Sequence, residues 1–312
     1  LSFFARVNYD YDNKYLLSLS IRRDESSKFH KDNRVGYFPS VSAGWNVHQE
    51  KWFQNPVMSK LKIRASYGEL GANFLNPYNF DAIAYGPIPY TVGGERYVTG
   101  RAAYLKSKDL KWETAKTTDI GIELGFFNND LTLSLDYFVK KNVDLLAQID
   151  LNLSSGQIFE INSSREKPYV NTASVKNTGW EFMMNYRKQL TKDFHIDATF
   201  NIATLKNKVL SLGENVQPIT SGAMSSYFND APSITMPGEA IGSFYGYKID
   251  GFDAEGNFIF ADMDKNGVVN ANDKVILGSP IPDFTYGLNI NMEYKDFDLT
   301  LFFQGCLLYT SD

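Results

Sequence analysis

Along most of the chain, apolar and polar residues alternate, and the alternating runs come in pairs separated by short polar turns. In the stretch 278–305, GSPIPDFTYGLNINMEYKDFDLTLFFQG, residues Tyr286, Leu288, Ile290, Met292 and Tyr294 alternate with Gly287, Asn289, Asn291 and Glu293. Beyond Lys295-Asp296-Phe297 the alternation resumes, with Leu299, Leu301 and Phe303 set against Thr300, Phe302 and Gln304. A period of two predicts extended strands with one apolar and one polar face. Residues 2–24 read as a second hairpin: Phe3, Ala5, Val7 and Tyr9 alternate with Phe4, Arg6, Asn8 and Asp10, and Tyr15, Leu17, Leu19 and Ile21 follow the turn at 11–14. Further strands are predicted over 39–47, 61–68, 118–126, 131–140, 179–187 and 194–205.

The connections are of two kinds. Short turns fall at 11–14, 127–130, 189–193 and 295–297, and the Asn-Asn-Asp of the second is favourable hairpin chemistry. Between them lie a polar excursion after Arg22 and long segments at about 71–110, 142–177 and 206–282. The linker at 48–60 is longer than this rule asks. Short turns at one end and long loops at the other are the signature of an outer-membrane barrel. A sandwich would have shorter and more uniform connections. The expected fold is all-β: a partial antiparallel transmembrane β-barrel of about ten strands with long extracellular loops.

Composition agrees. Aromatic residues make up 15% and hydrophobic residues 43% of the chain, while no apolar run is long enough for a spanning helix. The mean hydropathy of -0.30 is compatible with a barrel, whose strands turn half their residues to a polar lumen. The net charge of -5 gives no basic stripe for nucleic acid. Cys306 is the single cysteine, so no internal disulfide forms. Leu1 lies inside a strand pattern, without an initiator Met or signal peptide, and a piece of a longer protein is expected. Residues 306–312, CLLYTSD, break the alternation and read as a non-native tail.

Several phrases carry a family resemblance: KYLLSLSIRRDESSKF (14–29), YFPSVSAGWNV (37–47), LKIRASYGELGANFLNPY (61–78), LKWETAKTTDIGIELGFFNNDLTLSLDYF (110–138), NTGWEF (177–182) and the hairpin at 278–305. In this order they resemble the SusC/RagA family of TonB-dependent outer-membrane transporters of Bacteroidetes. The resemblance implies that residues 1–305 are part of a twenty-two-stranded barrel, and that the N-terminal domain, TonB box, plug and last strands have no counterpart here. It further implies import of an oligosaccharide or peptide across the outer membrane, a SusD-like lipoprotein over the extracellular mouth, and energy from TonB–ExbB–ExbD. The periodicity alone fits a passive porin equally well, and a soluble secreted glycan-binding β-protein with a calcium loop is the reading from another class.

One motif has the spacing of a metal loop. In Asp262-Met-Asp264-Lys-Asn266-Gly267-Val268-Val269-Asn270-Ala-Asn272-Asp273, oxygen donors stand at positions 1, 3 and 5, glycine at 6 and a carboxylate at 12. This is EF-hand spacing with Asp for the usual Glu at 12, and the Ca2+ ligands read from it are Asp262, Asp264, Asn266, Val268, Asn270 and Asp273. The competing reading is an Asx-rich turn held by its own side chains. Loop aromatics form a second set for sugar stacking or lid docking: Phe74, Tyr78, Phe80, Tyr85, Tyr90, Tyr97, Tyr104, Tyr169, Tyr227, Phe228, Phe244, Tyr245 and Tyr247. A third set is polar and lumen-facing: Arg22, Arg64, Glu123, Asp136, Asn185, Asn289 and Asn291. The histidines, His30, His48 and His195, are far apart in sequence, and there is no GxSxG, P-loop or dinucleotide fingerprint, so no enzyme is expected.

Overall fold

The computed structural model describes residues 1–75, 84–102, 109–148, 169–213, 216–222 and 231–308. The wall begins with β1 (Ser2–Tyr11), β2 (Tyr15–Glu25), β3 (Val35–Asn46) and β4 (Met58–Ala72). A separate hairpin of β5 (Ala84–Val92) and β6 (Glu95–Ala102) follows. The wall resumes with β7 (Glu113–Phe126), β8 (Leu131–Gln148), β9 (Tyr169–Thr191) and β10 (Phe194–Thr204). An excursion then holds β11 (Lys206–Ser211), β12 (Ile219–Ser221), β13 (Ser233–Thr235), β14 (Ser243–Tyr247), β15 (Ile249–Phe252), β16 (Phe258–Phe260) and β17 (Lys274–Gly278). The last hairpin is β18 (Phe284–Tyr294) with β19 (Phe297–Leu307).

The main sheet runs β1-β2-β3-β4-β7-β8-β9-β10-β18-β19, every neighbour antiparallel, and β11 adds to the outer half of β9. The ten crossings expected from the alternation are this path. Their turns need left-handed backbone, and polar residues mostly supply it: Asp12 and Asn13 have φ of 55° and 52°, Asn128 and Asn129 of 58° and 68°. Phe127 shares the conformation, with φ of 53°.

The register puts like with like. One row passes through Tyr9, Leu17, Ala43, Ala65, Ile120, Tyr137 and Trp180; the neighbouring row on the other face passes through Asn8, Ser18, Ser42, Ser66, Asp119 and Phe138. Large residues of the first face stay exposed, among them Leu19, Ile21, Ile63, Ile120, Leu135 and Leu299. A sheet face of this kind is a liability in water and a contact surface in lipid.

Aromatics border the apolar face at both ends. Beside the short turns, Tyr15 stacks on Tyr11 at 6.3 Å and on Trp45 at 6.4 Å. Glu50 accepts hydrogen bonds from Tyr15 Oη at 2.7 Å and Trp45 Nε1 at 3.1 Å, so the polar tips of both rings are satisfied. At the opposite end Tyr137 meets Trp180 at 4.8 Å and Phe284 meets Tyr286 at 6.3 Å. From Tyr286 to Tyr294 is about 27 Å of strand. A tilt of about 40° brings that to roughly 20 Å along the membrane normal, in keeping with a thin outer membrane.

The wall strands are longer than the alternation suggests. β8 continues past Lys140 to Gln148, and β9 begins at Tyr169 rather than Gly179. In this overhang Lys140 and Lys141 lie opposite Asn177 and Lys176. Water meets both faces there, so the period of two is lost while the backbone ladder persists. β19 likewise continues through Cys306 and Leu307, paired with Thr285 and Phe284, while 309–312 lie outside the described residues.

Small apolar cores sit beyond the girdle at the long-loop end. Phe29, Leu75 and Leu110 are buried together against Trp112, Leu146 and Tyr169. Phe38 meets Trp112 edge-on at 5.6 Å, and its ring crosses Gly71, where an added Cβ would lie 1.9 Å from Phe38 Cζ. The second core joins Ala173 and Val175 of β9 to Val209 and Leu212.

The two faces of β18 give a direct test. In the full-length protein, Ile290→Arg is expected to destabilise the folded barrel by about 2–4 kcal/mol, because the charge enters the lipid band near its middle. Asn291→Arg, one residue on and facing the lumen, is expected to cost under about 1 kcal/mol. Urea unfolding in lipid vesicles reads both, and equal costs would show that the faces are misassigned.

Candidate functional site

The lumen face concentrates charge on three adjacent strands. Lys60, Lys62 and Arg64 project from β4, Asp119 and Glu123 from β7, and Asp136 from β8. In register, Gly121 separates Arg64 from Asp136 and lies directly opposite both. With no side chain at 121, the guanidinium reaches across the strand and Arg64 Nη2 comes to 2.7 Å from Asp136 Oδ1. A Cβ at 121 would lie 1.8 Å from that oxygen. Arg64 also approaches Asp119 and Glu123, both at 3.4 Å, and Lys60 Nζ lies 2.7 Å from Glu123. Asp136 is 6% exposed, and its other oxygen, Oδ2, accepts a hydrogen bond from Ser134 Oγ at 2.8 Å.

The other lumen positions make local pairs, except that Asn289 Oδ1 is buried without a hydrogen-bond partner among the described residues. Asn185 Nδ2 donates to Asp197 and Thr199, and Arg187 Nε donates to Asp197 at 2.8 Å. Thr300 Oγ1 donates to Asn291 at 2.9 Å. Arg22 pairs with Asp24 at 2.8 Å and Arg23 with Glu25 at 3.3 Å, a salt-bridged rim at the end of β2. Beside Arg64, a hollow on this face is lined by Asn8, Ser18, Ser42, Lys62, Ser66 and Asp119. The arrangement is a hydrated, hydrogen-bonding channel wall, with charges of both signs neutralised locally.

The acidic loop divides the six ligands read from its spacing. Carboxylate oxygens of Asp262, Asp264 and Asp273 lie within 4.8 Å of one another, close enough to hold a metal ion between them. All six also serve the loop's own turns: Asn266 Oδ1 accepts from Val268 N, Val268 O accepts from Asn270 Nδ2, Asn270 Oδ1 accepts from Asn272 N, and Asp264 accepts from Asn266 N at 3.1 Å and Asn266 Nδ2 at 2.9 Å. Asp262 accepts from Gly267 N at 2.7 Å, which closes the sharp turn where Gly267 has φ of 85°. Asp273 is fully buried. One oxygen accepts from Met263 N and Asp264 N, the other from Asn270 N. The amide of Asn270 above all, with those of Asp264 and Met263, holds its carboxyl below the usual range against the opposing effect of burial.

Among the loop aromatics, Tyr169 packs on the first apolar core, and Phe244, Tyr245 and Tyr247 lie on β14. Tyr85, Tyr90 and Tyr97 lie on the β5–β6 hairpin, and Phe74 is 81% exposed. Tyr78, Phe80, Tyr104, Tyr227 and Phe228 lie outside the described residues. No aromatic platform shared by this set emerges among the described residues.

A family model described as TonB dependent receptor-like, beta-barrel, matches residues 1–307. This chain belongs to the TonB-dependent receptor β-barrel family. TonB-dependent receptor P3 of Formosa agariphila is 36% identical over 98% of this chain, which covers 31% of that relative. TonB-dependent receptor SusC of Bacteroides thetaiotaomicron is 32% identical, again over 98% of this chain and 31% of the relative. Among solved structures, the RagAB peptide importer in the open-open state aligns with a TM-score of 0.81 at 24% identity, over 98% of this chain and 32% of that one. The chain thus spans 31% of the length of either curated relative. The SusC/RagA resemblance read from the quoted phrases is borne out, and the partial antiparallel barrel with it.

Two features of this TonB-dependent receptor barrel escaped the sequence reading. One is the role of Gly121, which only the register reveals. The other is an aromatic hairpin at 249–260, although its IDGFDAEGNFIF carries the apolar residues and the Asp…Gly turn of a hairpin.

Removing Arg64 strands a buried carboxylate. Arg64→Met is expected to destabilise the full-length barrel by about 1–3 kcal/mol, held to that range because the Arg64 side chain is 38% exposed. Arg64→Met with Asp136→Leu should recover most of the loss, since an apolar pair leaves no charge unpaired. A thermal double-mutant cycle in detergent measures the coupling, and strictly additive losses would rule out the pair.

Proposed function

We propose that this chain forms part of the wall of an outer-membrane importer that takes up oligosaccharide or peptide fragments. In this reading residues 1–305 belong to the barrel, and the pairing of β19 with β18 carries it on through Leu307. The plug and TonB box lie in the part of the protein that the relatives' greater length accommodates. A SusD-like surface lipoprotein delivers the ligand to the outer mouth, TonB–ExbB–ExbD displaces the plug, and the ligand passes along the polar face. The carrying observation is a ten-strand wall with one lipid-matched and one charged, hydrogen-bonding face, in a chain 32% identical to SusC. RagAB, named a peptide importer, supports the wider substrate class through its shared fold. We assign no reaction to the chain.

Uptake of a labelled oligosaccharide or peptide by cells making the full-length protein tests the mechanism. Import is expected to saturate and to stop when TonB is deleted. Uptake that is linear in concentration and indifferent to TonB would establish a passive porin instead.

We also propose that the loop at 262–273 binds Ca2+, because Asp262, Asp264 and Asp273 converge and the donors are all hard oxygens. Asp273 Oδ2, which accepts from Asn270 N alone, has further acceptor capacity for an ion. A bound ion would stiffen the loop. In the full-length protein, Tb3+ luminescence sensitised at this loop should be displaced by Ca2+ and lost in Asp262→Asn/Asp264→Asn. Asp273 has a lowered folded-state pKa, so the stability it lends the fold is complete above the ordinary carboxylate value, about 3.9, and is lost only as pH falls through the lower folded value. Luminescence unchanged in the double variant would assign the loop to turn structure alone.

A further inference from the structure

Past the aromatic girdle at the long-loop end, the outer face of the wall changes from apolar to basic. The register sets four lysines side by side: Lys116 of β7 lies opposite Lys141 of β8, Lys141 opposite Lys176 of β9, and Lys176 opposite Lys208 of β11. They share the outer face, since Ile120, Tyr137 and Trp180 stand four residues back along the first three strands. Lys206 lies on the same face, two residues nearer the girdle and opposite Thr178.

Little on this face answers that charge. In the rows of Lys116 and Thr118 the one outward carboxylate among the described residues is Glu69 of β4, which lies opposite Lys116. Glu69 is 3.2 Å from Lys116 Nζ and also accepts from Tyr67 Oη. Lys141, Lys176, Lys206 and Lys208 have no ion pair among the described residues, and all but Lys176 are exposed. Like charges directly opposite one another destabilise a sheet. Neighbouring strands are about 4.8 Å apart, so the native register builds a repulsive row about 14 Å wide. A counter-charge from outside the chain relieves it.

Position decides the source of that charge. Four residues of strand tilted at about 40° place the row about 10 Å beyond Tyr137 and Trp180 along the membrane normal, and Lys206 about 5 Å beyond them. Aromatic belts mark the headgroup level, and long lysine stems lean back toward it. The ammonium groups therefore stand in the hydrated headgroup layer, on the face that lipid surrounds. The strands are interior to the sheet, and β11 takes over the pairing with β9 where β10 ends. Further strands joined at β1 or β19 would leave this face open. An acidic protein would have to part the headgroups to reach the row. Phosphate on a headgroup is at the right depth, and lysine binds phosphate as a point charge without demanding one orientation.

We propose that the row of Lys116, Lys141, Lys176 and Lys208, with Lys206 beneath it, binds the phosphate groups of a glycolipid in the outer leaflet and holds this part of the wall at its depth. This rests on the outer-membrane reading above, which supplies the leaflet. A lipid seated there neutralises the row and stabilises the barrel through its binding.

The test uses the full-length transporter, purified from cell envelopes and delipidated in mild detergent, with native mass spectrometry to count bound lipid. Bisphosphorylated lipid A is the probe and its dephosphorylated form the reference. The wild type should bind the phosphorylated lipid at least about tenfold more tightly, and that lipid alone should raise the unfolding temperature. Lys141→Gln/Lys176→Gln/Lys208→Gln should lose most of the preference, about fivefold for each lysine removed at low salt. Lys51→Gln/Lys140→Gln/Lys192→Gln, the same change of net charge placed elsewhere, should keep it. Heat-modifiable migration on gels shows that each variant folds, and the comparison of the two lipids on the wild type needs no variant. Equal binding of both lipids by the wild type, or equal behaviour of the two triple variants, would overturn the site while leaving the importer reading intact. Displacement of the lipid by an equal concentration of inorganic phosphate would overturn it in favour of a free anion. Loss of a co-purifying acidic protein from the row variant, with lipid binding unchanged, would overturn it in favour of that protein. A transporter absent from outer-membrane fractions would overturn the reading itself, and the lipid site with it.

Discussion

The structure depends on one constraint: within lipid, every backbone N–H and C=O of the wall must find its partner on a neighbouring strand. That requirement fixes an unbroken antiparallel ladder from β1 to β19. The ladder fixes a period of two, and the period of two sorts each strand into a lipid set and a lumen set. The consequences reach the turns. A one-residue slip in any hairpin would turn Ile290, Met292 and their neighbours inward and Asn289 and Asn291 into the hydrocarbon. The tight left-handed corners at Asp12-Asn13 and Asn128-Asn129 therefore guard the membrane face as well as reversing the chain.

The same ladder makes the lumen network possible. Arg64 and Asp136 are on strands that are not neighbours, and an ordinary side chain at 121 would stand between them. Glycine there weakens strand propensity by roughly 0.5–1 kcal/mol relative to alanine. A buried carboxylate left without its counter-ion costs more, about 1–3 kcal/mol or above. The balance favours the gap, and it ties three strands together through their side chains as well as their backbones. Because the guanidinium also sees Asp119 and Glu123, the lumen presents a neutralised surface to whatever fills it.

Much of this architecture was legible in the amino-acid order, for a definite reason. Where one face meets lipid and the other water, composition must alternate, and the crossings at 2–24, 61–68, 118–140 and 284–303 announce themselves. The reading stopped short at Lys140 and Gly179 because, above the membrane, both faces meet water and the ladder leaves no periodic trace. The loop at 262–273 was recognisable by its donors, but spacing alone did not reveal that Asn266, Val268 and Asn270 are drawn into the loop's turns while three carboxylates converge. Gly121 was invisible for another reason: its importance lies in which residues stand opposite, and register is a property of pairs of strands.

Exposed aromatics mean different things on the two sides of the girdle. On the wall, Trp180 and Tyr294 are exposed because their solvent is the lipid interface, and no burial is forgone. Phe252, Phe258 and Phe260 have no such solvent. Full burial of a phenylalanine is worth about 1.5–3 kcal/mol, so three rings left about half open in water forgo a few kcal/mol between them. The surrounding backbone shows no looseness that would let them collapse inward, since the turn at Asp253 and the clamp at Asp273 hold the segment out. The exposure of these rings is set by the backbone of the segment, against the side chains' own preference for burial.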